Sequence, residues 1–236
     1  MVLRLEGAVV QRRSGERVFT VGPVDLSLAA GESLAVVGPS GCGKSTLLRV
    51  LSGLSVPTQG RVWFHDTDVG RLGDGARARL RRREFAFVFQ DGMLLDALTV
   101  AENITVQARI DRRRLAPEVV SDCLARVGLA GYEQTAVDEL SGGEQQRVAV
   151  ARALAMAAPV VFADEPTGAL DPVARDDVVR ALHQVPQAGG SLVLVTHDPQ
   201  VAARADRVLL LRAGRVAAQA GRLDPARVAE LIGAPA

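Results

Sequence analysis

The sequence predicts an α/β fold in which a mainly parallel sheet is covered by helices on both faces. Four apolar runs lack the alternating polar side chains of a half-exposed strand, which is typical of strands buried on both faces. These runs are residues 34–37, 85–89, 160–163 and 192–195. Polar residues follow each run directly, and open α/β sheets bind their ligands at the carboxyl ends of the strands. We therefore expect a ligand site along that edge of the sheet.

The size, charge and apolar segments of the chain indicate which classes of function to expect. Its 236 residues suit one large α/β domain. A formal net charge of +1 does not indicate a surface that neutralises nucleic-acid phosphates, so no nucleic-acid partner is expected. The longest apolar stretch, residues 148–163, contains Arg152 and Pro159 and is shorter than the ~20 residues of a membrane-spanning helix. Because residues 1–6 show no export signal, we expect a cytoplasmic protein.

A glycine-rich loop follows the first apolar run. Its spacing, G-x-x-x-x-G-K-[ST], wraps backbone N–H groups around the phosphates of a nucleotide. Glycine permits positive φ, and a helix beginning at Lys44 would direct the positive end of its dipole at those phosphates. Lys44 would reach the β- and γ-phosphates, and the Ser45 hydroxyl would ligate Mg²⁺. The predicted phosphate-binding residues are Gly38, Pro39, Ser40, Gly41, Cys42, Gly43, Lys44, Ser45 and Thr46.

Two carboxylates follow the third apolar run. A phosphate-bound Mg²⁺ needs a nearby acid, commonly through water, and Asp164 is positioned for this role. A second carboxylate can orient an attacking water and accept its proton, which predicts Glu165 as the general base. An isolated Asp-Glu pair before Pro166 could also cap a helix.

A capping box marks the start of a later helix. Ser141 is followed three residues later by Glu144, and the helix is predicted to extend to Met156. Gly142 and Gly143 leave N–H groups and a helix dipole bare at this end. The segment therefore indicates an anion-binding site for which the neighbouring sequence supplies no anion.

The phosphate loop and the segment 140–147, Leu-Ser-Gly-Gly-Glu-Gln-Gln-Arg, together resemble the ATP-binding-cassette family. The resemblance implies a P-loop NTPase fold with a RecA-like sheet, and ATP hydrolysis with Mg²⁺ in a homodimer. Each ATP would lie between the phosphate loop of one protomer and Ser141, Gly142 and Gly143 of the other. The resemblance also implies that closure and hydrolysis move separate transmembrane permease subunits, with this protein on the cytoplasmic face of the cell membrane.

Three further residues match residues that the family uses at this site, and a fourth, Arg12, departs from the family pattern. Gln90 matches the Q-loop glutamine, which implies contact with Mg²⁺ and with the attacking water. His197 matches the switch histidine that contacts the γ-phosphate, and Asp171 matches the D-loop at the dimer seam. Arg12 stands where the family has an aromatic residue that stacks on adenine. A guanidinium plane can also stack on a purine, and Phe19 could substitute from nearby.

Three segments resemble one branch of the family, which serves macrolide exporters, lipoprotein-releasing complexes and cell-division complexes. These segments are residues 87–91, 94–104 and 164–171. Two alternatives stay open. A soluble cassette ATPase acting on nucleic acid or ribosomes would usually carry a coiled-coil insertion, zinc modules or a tandem cassette. A nucleotide-gated scaffold would bind ATP without hydrolysing it.

The whole chain, residues 1–236, is expected to form a single domain. We expect a RecA-like core at about 1–90 and 147–220, a helical subdomain at about 91–146, and a short C-terminal tail at about 221–236.

The remaining segments predict the outer elements. Thr99, three residues before Glu102, predicts a helix start, and the run from Arg77 to Arg83 predicts a solvated helix face. His65 and His183 lack any motif and are expected to be surface side chains. Short strands that could form a small antiparallel sheet are predicted at residues 2–5, 18–21, 24–28 and 61–64.

Overall fold

Two sheets organise the chain in the computed structural model, which describes residues 1–14, 17–168 and 170–233, without the side chains of residues 12–18. The strands are β1 Leu3–Ser14, β2 Arg17–Leu28, β3 Ser33–Val37, β4 Gln59–Phe64, β5 Thr67–Asp68, β6 Phe85–Val88, β7 Val160–Asp164, β8 Ser191–Val195, β9 Arg207–Arg212 and β10 Arg215–Gly221. The helices are α1 Lys44–Leu51, α2 Asp74–Glu84, α3 Val100–Ile110, α4 Pro117–Arg126, α5 Gly142–Ala155, α6 Pro172–Gln187, α7 Pro199–Ala202 and α8 Pro225–Gly233.

The larger sheet has the strand order β10-β9-β3-β8-β7-β6. Strands β9, β3, β8, β7 and β6 are parallel to their neighbours, and β10 pairs antiparallel with β9. The four predicted apolar runs become β3, β6, β7 and β8, and every residue of β3 and β8 is buried. Because these strands are parallel, the polar residues that follow them emerge at one edge of the sheet.

The smaller sheet is antiparallel, with the order β2-β1-β4-β5. The sequence predicted separate strands on either side of Gly22, but β2 runs through this position as one strand. Gly22 has a φ of 115°, and a Cβ on it would lie 2.2 Å from the carbonyl oxygen of Ala8 on β1. The prediction of two strands was wrong because glycine here allows two backbones to approach closely, and the chain forms a register shift with an extra residue on β2 rather than a turn.

Both faces of the larger sheet are covered, as the predicted fold class requires. On one face, α1 and the smaller sheet pack around Phe85 and Phe162, whose rings meet edge to face at 5.2 Å. On the other face, residues of α3, α4, α5 and α6 form one continuous buried cluster with β6, β7 and β8. The sheet is therefore held rigidly, which fixes the positions of the residues at its edge.

The helical segment after β6 begins at Thr99, as predicted. The Thr99 hydroxyl accepts a hydrogen bond from the Glu102 amide at 3.3 Å, and the Glu102 carboxylate accepts one from the Thr99 amide at 3.0 Å. Asn103 of α3 is fully buried, donates to the Leu95 carbonyl at 3.0 Å and accepts from the Leu95 amide at 2.8 Å. This pairing fixes the chain between β6 and α3.

The remaining outer elements also follow the sequence prediction. The run from Arg77 to Arg83 lies on α2, none of whose residues is fully buried, although Arg81 donates to the Gly53 carbonyl at 2.8 Å. The last described elements, for which the sequence analysis gave no separate prediction, are the β9–β10 hairpin and α8. Among the described residues, no helix combines the length and the apolar character needed to cross a bilayer.

Candidate functional site

In the loop between β3 and α1, a side chain would clash with neighbouring strands at two of the glycines. Gly38 has a φ of 151°, and a Cβ on it would lie 2.1 Å from the carbonyl oxygen of Leu211. Gly43 has a φ of 107°, and a Cβ there would lie 2.5 Å from Cγ2 of Val21. A side chain at either position would force the loop away from β9 or β2. The two glycines therefore keep the loop at the carboxyl end of β3.

Helix α1 begins at Lys44 with free donors. Gly43 supplies no side-chain cap, and the first turn contains no acidic residue. The N–H groups of this turn and the positive end of the helix dipole therefore face the loop. The Lys44 ammonium, in a residue that is 8% exposed, donates to the carbonyls of Gly38 at 2.8 Å and Pro39 at 3.1 Å. A lysine ammonium has a third N–H, so this donor set fits the predicted phosphate group.

Ser45 and Asp164 meet next to this loop. The Ser45 hydroxyl donates to Asp164 Oδ1 at 3.1 Å. Burial raises the pKa of the Asp164 carboxyl, and the bond from Ser45 opposes this shift. Among the described residues, no cluster of three His, Cys, Asp or Glu side chains could enclose a metal ion. One hydroxyl and one carboxylate instead fit Mg²⁺ that takes its other oxygen ligands from phosphates and water.

Glu165 and His197 form a second pair at the same edge. His197 Nδ1 lies 2.9 Å from Glu165 Oε2. The Glu165 side chain is 15% exposed and His197 is 68% exposed, so the carboxylate is sheltered while the imidazole faces solvent. Glu165 has a φ of 48°, a left-handed conformation that is uncommon for a residue with a side chain and that clusters at functional sites. The pair can hold a carboxylate in position to accept a proton.

Gln90 leaves the sheet beside these carboxylates, since Val88 of β6 pairs with Ala163 of β7. Gln90 is exposed, and its side chain forms no hydrogen bond with another described residue. The amide of Gln90 is therefore available for a ligand, which is compatible with its predicted contact with metal and water.

The segment at the start of α5 is built as the sequence predicted. The Ser141 hydroxyl accepts from the Glu144 amide at 3.3 Å, and the Glu144 carboxylate accepts from the Ser141 amide at 2.9 Å. The Ser141 hydroxyl also donates to the Glu144 carboxylate at 2.7 Å, and this bond, followed by the bond from the Ser141 amide, lowers the pKa of Glu144. A Cβ on Gly142 would meet no atom within 4 Å. Ser141 forms no hydrogen bond with the phosphate loop among the described residues, so the structure does not bring these two motifs together within one chain.

Asp171 caps α6 at the end of the predicted D-loop. Its carboxylate accepts from the amides of Val173 at 2.9 Å and Ala174 at 3.1 Å. These backbone bonds, that of Ala174 foremost, lower the pKa of Asp171. The residue therefore has a structural role that is compatible with the predicted place at a dimer seam.

The predicted contact with the adenine involves β1 and β2. Arg12 pairs with Phe19 across these strands, and the Arg12 side chain lies outside the described residues. Phe19 is 38% exposed, and its ring atoms Cε1 and Cζ lie 3.4 Å from the position of a Cβ on Gly43. An exposed aromatic ring therefore borders the phosphate loop.

Two side chains of α5 that the sequence did not single out hold the loop after β6. Arg152 donates to the carbonyl of Gly92 at 2.6 Å and to that of Met93 at 2.8 Å. Gln146 donates to the carbonyl of Phe89 at 3.1 Å. The available signal was an arginine inside the apolar stretch 148–163. These bonds tie the segment around Gln90 to the helix that begins with Ser141.

His65 is exposed as expected, whereas His183 is half-buried and lines a pocket together with Arg204 and Asp206. Burial, followed by the charge of Arg204, lowers the pKa of His183 to about 4. His183 Nε2 is buried and has no hydrogen-bond partner among the described residues. This ring nitrogen is buried because residues that lie far away in the sequence cover one side of His183.

Comparison with known proteins places these motifs in context. A family model described as ABC transporter matches residues 21–168. The lipoprotein-releasing system ATP-binding protein LolD of Anaeromyxobacter dehalogenans is 47% identical over 83% of this chain and 83% of its own length. The macrolide export ATP-binding/permease protein MacB 2 of Aeromonas hydrophila is 40% identical over 100% of this chain. This chain spans only 37% of the length of that MacB protein.

Solved structures show the same fold. A dimeric bacterial ABC transporter cassette, MJ0796, is similar with a TM-score of 0.88 and 33% identity, over 94% of this chain and 99% of the cassette. A second dimeric structure of that cassette, in a post-hydrolysis state bound to ADP and Pi, is similar with the same TM-score of 0.88 and 32% identity.

Proposed function

Since the chain belongs to the ABC transporter family, we propose that it is an ATP-binding and ATP-hydrolysing subunit that drives the movement of separate transmembrane subunits. The observation that carries this proposal is the arrangement at one sheet edge. Ser45 follows β3, Asp164 and Glu165 stand at the end of β7, and His197 follows β8, which lies between these two strands. The Ser45–Asp164 pair and the Glu165–His197 pair therefore lie at one edge of the sheet, next to a loop whose donors fit phosphate. Binding, metal and proton-accepting groups thus lie together.

Each residue has a distinct task in this proposal. Lys44 and the N–H groups of the first turn of α1 bind the phosphates and offset the charge that develops during hydrolysis. Ser45, Asp164 and Gln90 would hold Mg²⁺, which supplies further neutralisation of the phosphate charge when it is bound. Glu165 accepts the proton of the attacking water, and His197 orients this carboxylate through the 2.9 Å contact.

The signature segment supports a proposed homodimer. Gly142 borders open space, and the helix dipole of α5 leaves this end positive, so a γ-phosphate bound to another protomer could dock on Ser141, Gly142 and Gly143. The similar cassette MJ0796 is dimeric in its solved structures. A head-to-tail pair would bury two ATP molecules between the protomers.

We also propose the division of the chain into moving parts. The helical subdomain at about 91–146 would transmit closure from the core at about 1–90 and 147–220 to a permease, leaving about 221–236 as the tail. LolD is named as the ATP-binding protein of a lipoprotein-releasing system, and this chain covers 83% of its length. We therefore propose a peripheral position on the cytoplasmic face of the membrane. Arg12 or Phe19 is proposed to stack on the adenine.

Replacement of the proposed base tests this function. Glu165→Gln keeps the size of the side chain but removes its proton affinity, so we expect ATP turnover to fall roughly 10²- to 10⁴-fold. Binding of a fluorescent ATP analogue should be retained, and light scattering should show a dimer when this variant is loaded with ATP. The matched control is Glu118→Gln, at an exposed position on α4. Native turnover in Glu165→Gln, or ATP-loaded protein that stays monomeric, would contradict the proposal.

A further inference from the structure

Two arginine-rich segments that are distant in the sequence come together on one side of the molecule. The Arg82 guanidinium pairs with the Asp111 carboxylate, and Gln107 donates to the Arg82 carbonyl at 3.1 Å. These contacts bring the end of α2 to the end of α3. The arginines around this junction are exposed and form what we call the arginine surface, which consists of Arg79, Arg83, Arg109, Arg112, Arg113 and Arg114.

The charge of the arginine surface is not neutralised by neighbouring acids. None of its six members forms an ion pair with another of the described residues. The Asp111 side chain is 6% exposed and already paired with Arg82. A concentrated positive surface therefore exists on a chain whose formal net charge is only +1. Such a local field attracts a negatively charged partner.

The composition of this surface favours a lipid partner over a nucleic acid. Proteins that bind single-stranded nucleic acid combine basic grooves with aromatic side chains on which bases stack, and residues 74–84 and 105–119 contain no aromatic residue. Ile110 is instead exposed among the arginines, at 63%. An exposed apolar side chain that lies close in sequence to Arg109 and Arg112 suits the boundary between headgroups and acyl chains. Guanidinium groups also bind phosphate through paired hydrogen bonds.

We propose that the arginine surface binds anionic phospholipid headgroups of the membrane on which the protein works. Through this contact the chain would attach directly to the bilayer, in addition to its attachment to permease subunits. The inference goes beyond the proposed function, because vesicle binding requires neither ATP turnover nor a permease. Its failure would leave the proposed ATPase intact.

Vesicle flotation tests this inference. The full chain is mixed with vesicles of phosphatidylcholine alone or of phosphatidylcholine with phosphatidylglycerol. We expect it to float only with the anionic vesicles and to detach as salt is raised. The triple variant Arg112→Gln, Arg113→Gln, Arg114→Gln should bind at least about tenfold more weakly, while its ATP turnover stays native.

A second triple variant separates this surface from net charge. Arg61→Gln, Arg215→Gln, Arg222→Gln removes the same charge at exposed positions elsewhere, and it should bind anionic vesicles as the native chain does. The proposal is overturned if the native chain does not float with phosphatidylglycerol, or if both triple variants lose binding equally. It is also overturned if a single-stranded RNA oligonucleotide binds the same arginines more tightly than the anionic vesicles do.

Discussion

Arg152 gives a testable prediction because this half-buried cation is bonded to carbonyl groups rather than paired with an acid. Its guanidinium donates to the carbonyls of Gly92 at 2.6 Å and Met93 at 2.8 Å. Burial lowers the pKa of Arg152, because removing the guanidinium from water disfavours its charged form. Arg152→Met keeps the length of the apolar stem but removes both donors. The turn after Gln90 then loses its attachment to α5.

The size of the effect follows from the two lost bonds. A hydrogen bond from a charged donor contributes about 1.5–3 kcal/mol, so the pair contributes roughly 3–6 kcal/mol before desolvation is counted. Removing the half-buried charge returns part of this free energy, which leaves a net loss of about 2–4 kcal/mol. Since about 1.4 kcal/mol changes an equilibrium tenfold, opening of this turn should become roughly 30- to 1000-fold more frequent.

Amide hydrogen exchange measures this opening directly. Peptides that contain Gly92 and Leu95, whose amides donate to Phe89 at 3.0 Å and to Asn103 at 2.8 Å, should exchange faster in Arg152→Met than in the native chain. The control is Arg126→Met, which removes an exposed pair with Asp122 worth about 0.5 kcal/mol or less. Arg126→Met should exchange at the native rate in these peptides. If Arg152→Met does so as well, Arg152 does not hold the turn.

Three further predictions concern the metal, a helix cap and pH. Ser45→Ala should raise the Mg²⁺ concentration for half-maximal ATP hydrolysis about tenfold or more, whereas Ser45→Thr, which keeps a hydroxyl, should not. Asp171→Ala should lower the melting temperature by a few degrees, because two hydrogen bonds at the start of α6 are lost, whereas Asp171→Asn should keep the native melting temperature. Equal melting temperatures for both variants would contradict the role of Asp171 as a helix cap. The folded protein lowers the pKa of His183 to about 4, from an ordinary value of 6.5. As the pH falls below 6.5, the unfolded state therefore binds a proton before the folded state does. Up to about 3 kcal/mol of the stability present above pH 6.5 should be lost as the pH falls toward 4. Denaturant unfolding at a series of pH values should show this loss in the native chain and a smaller one in His183→Gln.

The sequence could predict those parts of the fold whose signals are local. β7 appears as an unbroken apolar run that ends at Asp164, and both capping boxes begin their helices at Thr99 and Ser141, as expected. The phosphate loop is recognisable because its spacing alone determines which backbone amides face a ligand. In each case the interactions that determine the local structure lie within a few consecutive residues.

The remaining features depend on contacts between distant residues. Arg152 bonds with carbonyl groups 59 and 60 residues earlier in the chain, and backbone carbonyls have no sequence signature. The low pKa of His183 arises from burial and from Arg204, which lies in the turn between α7 and β9. The sequence could not distinguish Gly22 from a turn residue, because a turn and a close approach of two strands both favour glycine. The fold must be known before such residues can be interpreted.

One helix joins the two ends of the proposed mechanism. Ser141 caps the start of α5, and Arg152 lies eleven residues later, which places it about 16 Å along the axis at 1.5 Å per residue. If a partner's γ-phosphate docks at Ser141, any displacement of α5 must also displace Gly92 and Met93, because Arg152 is bonded to both. Gln90 lies directly before these residues. Nucleotide contact at the dimer seam and the position of the Q-loop would therefore change together, as a rigid connection requires.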